Sequence, residues 1–171
     1  MPRERTMTHL REIPPSTRWA LASHVLTRLV LELGRTAARP GGSPDSQRLF
    51  SLLGEEARRI ADGNSMKRDN AADLVATLGT VSVILFGRAF ETRYIEGFPE
   101  EGVIRLAECA MFREESAPCI PPAEIHAICS AYVKSVVEAL NPEFSVGVSM
   151  ARCRGDGFCE MVIARKEQFR D

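Results

Sequence analysis

The sequence predicts an α+β domain in which helices cover an antiparallel sheet of about four strands. In the N-terminal half, apolar residues recur at helical spacing. Further along, two pairs of alternating segments flank one more helical segment. The length of 171 residues suits one hydrophobic core. We therefore predict a loose arm over 1–15 and a single domain over 16–171, with a helical part (16–87) and a sheet-plus-helix part (88–166).

The first helix is predicted to begin at Ser16, a favourable N-cap residue, and to end at Gly34. Its apolar residues recur at helical spacing and are expected to face the core. They are Trp19, Ala22, Leu26, Leu29 and Leu33, with Val25 and Val30 widening the stripe. The stripe is wide enough to serve as an interface, so we also expect a possible homodimer.

The second and third helices have clear start signals. Ser43-Pro44-Asp45 combines a cap with proline at the first helical position, and Asp69 or Asn70 caps the third helix, which ends near Gly87. The predicted core residues are Phe50, Leu53, Ala57 and Ile60 in the second helix, and Leu74, Leu78, Val81 and Leu85 in the third.

The remaining elements are two strand pairs and a fourth helix. Segments 90–95 and 103–109 alternate around the loop EGFPEEG, and 144–151 and 159–164 alternate around a Gly-Asp turn. The fourth helix is predicted from Pro121-Pro122 to Asn141-Pro142. Its inward stripe is Ile125, Cys129, Tyr132, Val136 and Leu140.

Composition narrows the class of protein. The net charge is -1, so the chain lacks the basic surface of a nucleic-acid-binding protein. No stretch approaches the roughly 18 apolar residues of a membrane span, and no apolar run follows the charged N-terminus. We expect a soluble, cytoplasmic protein whose partner is a small molecule, with no nucleic acid and no membrane.

Five cysteines lie in the C-terminal part, and none occurs in the first 108 residues. They are Cys109, Cys119, Cys129, Cys153 and Cys159. An odd number of cysteines in a chain that we expect to be intracellular argues against a disulfide framework. They serve either as small buried hydrophobic residues or in metal binding or catalysis.

The sequence places two thiols at the ends of one predicted hairpin. Asp156-Gly157 favours a tight turn, so a loop of four or five residues would bring Cys153 opposite Cys159. Cross-strand neighbours have Cβ atoms about 5 Å apart, which would let both thiolates reach one ion.

A third thiol, Cys129, lies on the inward stripe of the fourth helix. Together with Cys153 and Cys159 it could bind zinc, which is usually four-coordinate in proteins. The fourth ligand would be His126, Cys109 or water. The spacing of these cysteines matches no recognised zinc finger.

A different arrangement uses Cys109 as a nucleophile. Cys109 lies at a predicted strand end, and a reactive thiol needs a helix N-terminus or an adjacent base. His126 is near the start of the fourth helix, where the dipole lowers its pKa and favours the neutral form that a general base requires. The alternative is that Cys109 only closes the core.

Three arginines, Arg88, Arg93 and Arg105, fall on or near the first two strands. An inward-pointing one could bind a carboxylate bidentately, although an exposed position is the expectation.

The segment NPEFSVGVSMARCRGDGFCEM resembles the closing segment of the 4-vinyl reductase domain superfamily. It is especially similar to relatives known as L-2-amino-thiazoline-4-carboxylic acid hydrolase-like proteins. The resemblance covers about residues 70–166 and is sharpest at Gly155, Asp156 and Cys159, which makes the first two binding-site candidates.

This resemblance implies a buried small-molecule pocket between helices and sheet. In phenol-sensing activators with the related domain, cysteines of the helix and hairpin hold zinc, and Cys129, Cys153 and Cys159 fit those positions. The sensors use a glutamate where Met150 stands here, so a zinc site would need Cys109, His126 or water instead.

Three functional hypotheses remain at the level of sequence. One is a hydrolase of a small cyclic C–N substrate resembling 2-aminothiazoline carboxylate, with Cys109 as nucleophile or metal ligand and His126 as base. The alternative is a non-catalytic, zinc-stabilised ligand-binding or sensor module of the 4-vinyl reductase type. In the third, the chain is a subunit of a larger assembly and its cysteines only pack.

Overall fold

The chain folds into four helices and a four-stranded antiparallel sheet, which confirms the predicted α+β class. This is a computed structural model, and it describes residues 13–37, 44–90, 94–112 and 120–169. Most of the predicted arm, the cap Ser43, residues 91–93 and Cys119 therefore lie outside the described residues.

The elements follow the predicted order. The helices are α1 (Pro15–Ala37), α2 (Pro44–Gly63), α3 (Ala71–Phe86) and α4 (Pro122–Leu140). The strands are β1 (Tyr94–Gly97), β2 (Glu101–Leu106), β3 (Phe144–Met150) and β4 (Cys159–Arg165). Short 3-10 turns occupy Arg88–Phe90, Arg152–Arg154 and Lys166–Phe169. The first predicted strand began too early, because Phe90 belongs to a 3-10 turn.

The sheet order is β1-β2-β4-β3, and every neighbouring pair is antiparallel. Both predicted hairpins form, and β2 and β4 join them at the centre. A register irregularity between Val148 and Met150 ends the regular pairing of β3 with β4. The chain that follows is therefore free to turn back over the end of β2.

Helices α3 and α4 cover the sheet, and their apolar stripes are buried as predicted, with Leu85 half-buried. The Asn70 side chain caps α3 by accepting a 2.9 Å hydrogen bond from the Asp73 N–H. Tyr132 of α4 packs edge-on against Phe86 of α3, with the ring centroids 4.9 Å apart. This pairing fixes the two helices against each other.

Helix α1 packs on a face different from the predicted one. Leu29 and Leu33, expected in the core, are each 53% exposed. With Leu21 and Val25 they form an exposed apolar stripe, which we call the α1 stripe. The buried residues of α1 are Ser23, Thr27, Leu31 and Gly34, together with Val30, which was predicted to face the core.

Small residues explain this packing. A Cβ on Gly34 would lie 2.9 Å from the Ile128 side chain, so glycine lets α1 approach α4 closely. Gly34 therefore serves helix packing and does not end the helix, which continues to Ala37. Thr27 is satisfied within the helix, because its hydroxyl donates to the Ser23 carbonyl oxygen at 2.8 Å.

Within the described part of the chain, none of the helices combines the length and the apolar character that crossing a bilayer requires.

Candidate functional site

Four cysteines from four different segments converge in the interior. Cys109 follows β2, Cys129 lies in α4, Cys153 lies in the turn after β3, and Cys159 begins β4. All four are free thiols and all are buried. Cys109 donates an S–H hydrogen bond to Cys159, and the charges of Cys159 and Cys153 both act on Cys129. We call these four residues the thiol cluster.

The expected register between Cys153 and Cys159 is wrong. The structure pairs Cys159 with Leu106 on β2, and Cys153 belongs to a 3-10 turn instead of a strand. The reversal occupies residues 151–158, which is longer than the predicted loop of four or five residues. Cys153 therefore reaches the thiol cluster through the turn and not as a cross-strand neighbour of Cys159.

The two binding candidates of the Gly-Asp motif shape this turn. Gly155 has φ of 99°, a left-handed conformation that glycine adopts without strain. The Asp156 carboxylate accepts a 2.7 Å hydrogen bond from the Ala151 N–H. These contacts explain why the turn needs both residues, and a role for them in ligand binding stays a prediction.

Arg152 holds the turn against the segment that follows β2. Its guanidinium donates to the Ala107 carbonyl oxygen at 2.6 Å, and its backbone N–H donates to the Cys159 Sγ at 3.4 Å. Arg152 thus connects the segment that bears Cys109 with Cys159. Its position beside Cys153 is the only signal in the sequence that could have indicated this role.

The hydrogen bond between Cys109 and Cys159 shifts the pKa values of these two thiols in opposite directions. The pKa of Cys159 is lowered to about 6, chiefly because Cys109 donates to it, with further help from the Arg152 N–H and charge. The pKa of Cys109 is raised well above the usual value, because Cys109 keeps its proton in that hydrogen bond and because it is buried. The acidic thiol of the cluster is therefore Cys159.

The pKa values of the other candidate residues are shifted mainly by burial. Burial raises the pKa of Cys129 to about 12, and it also raises the pKa of Cys153. Burial and the charge of Arg154 lower the pKa of His126. The predicted direction for His126 is present, but its causes are burial and the charge of Arg154, not the predicted helix dipole.

His126 and Cys109 do not shift each other's pKa. The groups that shift the pKa of Cys109 are Cys159, Cys129 and the Phe112 backbone, whereas Arg154 acts on His126. A nucleophile–base pair of these two residues stays a prediction, without support from these interactions.

The thiol cluster has the donor chemistry that zinc prefers, since zinc binds thiolate sulfur. Over residues 13–37, 44–90, 94–112 and 120–169, however, no three His, Cys, Asp or Glu side chains are arranged to hold a metal ion. The cluster as it stands is a set of packed thiols. Zinc at Cys129, Cys153 and Cys159 stays a prediction.

A cavity of about 530 Å³ lies beside α1. It is bounded by the first half of α1, the end of α3, the 3-10 turn that begins at Arg88, and Ala110. We call it the α1 cavity. Ala110 directly follows Cys109, so one wall of the cavity continues in the chain into the thiol cluster.

The α1 cavity does not lie where the resemblance implied. A void between α3, α4 and the sheet, which Ser82 and Met161 help to line, has a volume of only about 10 Å³. That is no more than the space of a single water molecule. A space large enough for an organic molecule lies instead next to α1, and periodicity alone could not reveal it.

Comparisons with known proteins show a likeness to solved structures, but none to a family model or a curated protein. No family model and no curated protein matches it. Among solved structures it is similar to a trafficking protein particle complex subunit 3 from Naegleria fowleri, which is covalently bound to palmitic acid. The identity is 13%, the match covers 86% of this chain and 82% of that chain, and the TM-score is 0.46. A likeness at this level leaves the function of the present chain open.

Proposed function

We propose that the protein binds a small organic molecule in the α1 cavity. The observation behind this proposal is the cavity itself, whose volume of about 530 Å³ is typical of ligand pockets. The residues that line it include the aromatic Trp19 and Phe86, several residues with hydroxyl groups, and Arg88. An apolar wall with a few polar groups is the usual composition of a small-molecule site.

The single tryptophan of the chain provides a direct assay. Trp19 lines the cavity, and its indole N–H donates to the Ile84 carbonyl oxygen at 3.0 Å. Titration with 1-anilinonaphthalene-8-sulfonate should quench Trp19 fluorescence and increase dye emission, with saturation at one site.

A pair of variants on α1 tests the location. Ala20 lines the cavity, so Ala20→Phe should fill it and abolish saturable dye binding. Ala22 is exposed and does not line the cavity, so Ala22→Phe is the matched control and should bind normally. Normal binding by the Ala20→Phe protein would show that the dye binds elsewhere and would contradict the proposal.

Hydrolysis of a small cyclic C–N substrate is a second candidate, supported by the contacts of one thiol. Cys159 accepts hydrogen bonds from the Cys109 S–H and from the Arg152 N–H, and both stabilise a thiolate, the nucleophilic form. Cys109, the nucleophile predicted from the sequence, is the donor in this pair. The contacts therefore favour Cys159 in the nucleophilic role.

This second candidate is tested with 2-aminothiazoline-4-carboxylate and mass-spectrometric detection of the ring-opened product. If Cys159 is the nucleophile, Cys159→Ser should abolish product formation, whereas Cys109→Ser should retain part of it. The reverse pattern would support Cys109. Absence of product with the unaltered protein would count against hydrolysis of this substrate.

The zinc-stabilised module and membership of the 4-vinyl reductase superfamily also stay predictions. Elemental analysis of the purified protein tests the first, because a structural zinc site predicts one zinc per chain and a fall in Tm on chelation. Purified protein without zinc, and with a Tm that chelators do not change, would contradict it.

A further inference from the structure

We infer that the α1 cavity selects an organic anion, and that Arg88 binds the anionic group. The inference rests on the proposed binding of a small molecule in this cavity. The described residues that line the cavity include Arg88 and two residues of a helix N-terminus, but no carboxylate. The only other titratable side chain in that lining is His24.

Arg88 owes its position to the glycine before it. Gly87 ends α3 with φ of 81°, and this left-handed turn directs the chain into the 3-10 turn that lines the cavity. Arg105 and Arg165 are paired with Glu160 and with two other glutamates, respectively. Within the described parts of the chain, no carboxylate lies within ion-pair distance of Arg88. None of the described carboxylates therefore competes with a ligand for its guanidinium.

The N-terminus of α1 adds a second favourable contribution. Ser16 and Thr17, from the first turn of this 23-residue helix, line the cavity. The first N–H groups of a helix carry a partial positive charge and attract anions. The first turn of α1 contains no acidic residue that would neutralise this effect.

An unpartnered buried hydroxyl independently indicates a ligand. Ser23 also lines the cavity and is only 4% exposed. Its Oγ has no hydrogen-bond partner in the described structure. Buried polar atoms are nearly always paired, so a polar group of a bound molecule is a natural partner for this hydroxyl.

The aromatic residues of the lining indicate what the non-anionic part of the ligand is. Trp19 and Phe86 provide aromatic surface next to the polar groups. A molecule that satisfies both parts carries a carboxylate or a similar anion on an apolar ring or short chain.

A matched pair of probes tests the inference. 4-Phenylbutyrate and 4-phenylbutyramide have nearly the same shape and differ in charge. Isothermal titration calorimetry should show that the acid binds about tenfold more tightly than the amide, as expected for one charge-assisted hydrogen bond. Arg88→Gln should remove this preference, whereas Arg28→Gln, on α1 but outside the cavity lining, should keep it.

The outcomes separate this inference from the proposal on which it rests. Equal affinity for the two probes would overturn anion selectivity while leaving small-molecule binding intact. A preference that survives in the Arg88→Gln protein would overturn the role of Arg88. Failure of both probes to bind would count against the α1 cavity as a ligand site and would therefore overturn both.

Discussion

Replacing Cys109 with alanine should raise the pKa of Cys159. In the structure the Cys109 S–H donates to the Cys159 sulfur, and this hydrogen bond is the largest cause of the lowered pKa of Cys159. Alanine cannot donate, so the thiolate loses its main stabilising contact. The Arg152 N–H and charge remain and keep part of the effect.

The size of the change follows from the energy of the lost contact. A hydrogen bond to a charged group contributes about 1.5–3 kcal/mol, and one pKa unit corresponds to about 1.4 kcal/mol. The pKa of Cys159 should therefore rise by roughly one to two units from about 6. At pH 7 the thiol would then be about half to nine-tenths protonated.

Thiolate ultraviolet absorbance, followed across the pH range, measures this change directly. Among the four cysteines that the structure describes, one thiolate should form near pH 6 in the unaltered protein, because the pKa values of Cys109, Cys129 and Cys153 are all raised. Cys153→Ala is the matched control, since it removes a thiol of the cluster but leaves the donor of Cys159 in place. An unchanged transition in the Cys109→Ala protein would refute the reasoning.

The same hydrogen bond predicts a pH dependence of stability. A thiol whose folded pKa lies below its unfolded value of about 9.0 contributes stability that is present above that value and is lost as the pH falls through about 6. Stability should therefore rise between about pH 6 and 9, and less so in the Cys109→Ala protein. Above about pH 9 the raised pKa of Cys109 has the opposite effect.

Three further predictions concern packing and assembly. A Cβ on Gly54 would lie 2.8 Å from the Ser135 carbonyl oxygen, so Gly54→Ala should lower the free energy of unfolding, measured in urea, by about 1–3 kcal/mol. Gly63→Ala on the same helix is the control and should not destabilise the protein, because a Cβ there meets no other atom. Tyr132→Phe removes the buried 3.1 Å hydrogen bond to Ser82 and should cost about 1–3 kcal/mol, and adding Ser82→Ala should restore much of that loss; an equally unstable double variant would contradict this account. The predicted homodimer is tested by light scattering: if the α1 stripe forms its interface, Leu29→Glu should give folded monomers, and a monomeric unaltered protein would show that the dimer prediction is wrong.

Local pattern was sufficient to predict most of the fold. The stripe of α4, from Ile125 to Leu140, was predicted correctly, and the cap at Asn70 is one of the two that were predicted, because helical spacing and capping depend on residues close in the chain. The four strands followed from their alternation and their turn residues. The burial of Cys129 on the inward face of α4 followed from the same spacing.

Contacts between distant segments decided the rest. Periodicity shows that α1 has an apolar stripe, but not that the small residues around Gly34 would pack against α4 and leave Leu29 and Leu33 exposed. The position of Cys153 depended on a register irregularity and on the Asp156 hydrogen bond, which no spacing rule contains.

The candidate sites, too, were predictable from the sequence only in part. Residue types and burial patterns in the sequence indicated that the C-terminal cysteines matter and that several point inward. Only the folded chain brings Cys109 close enough to donate a hydrogen bond to Cys159. The hydrogen bond from Arg152 to the Ala107 carbonyl oxygen holds the two segments together. The α1 cavity likewise forms only when α1, α3 and the segment after β2 pack together. These segments are far apart in the sequence, so local patterns could not predict it.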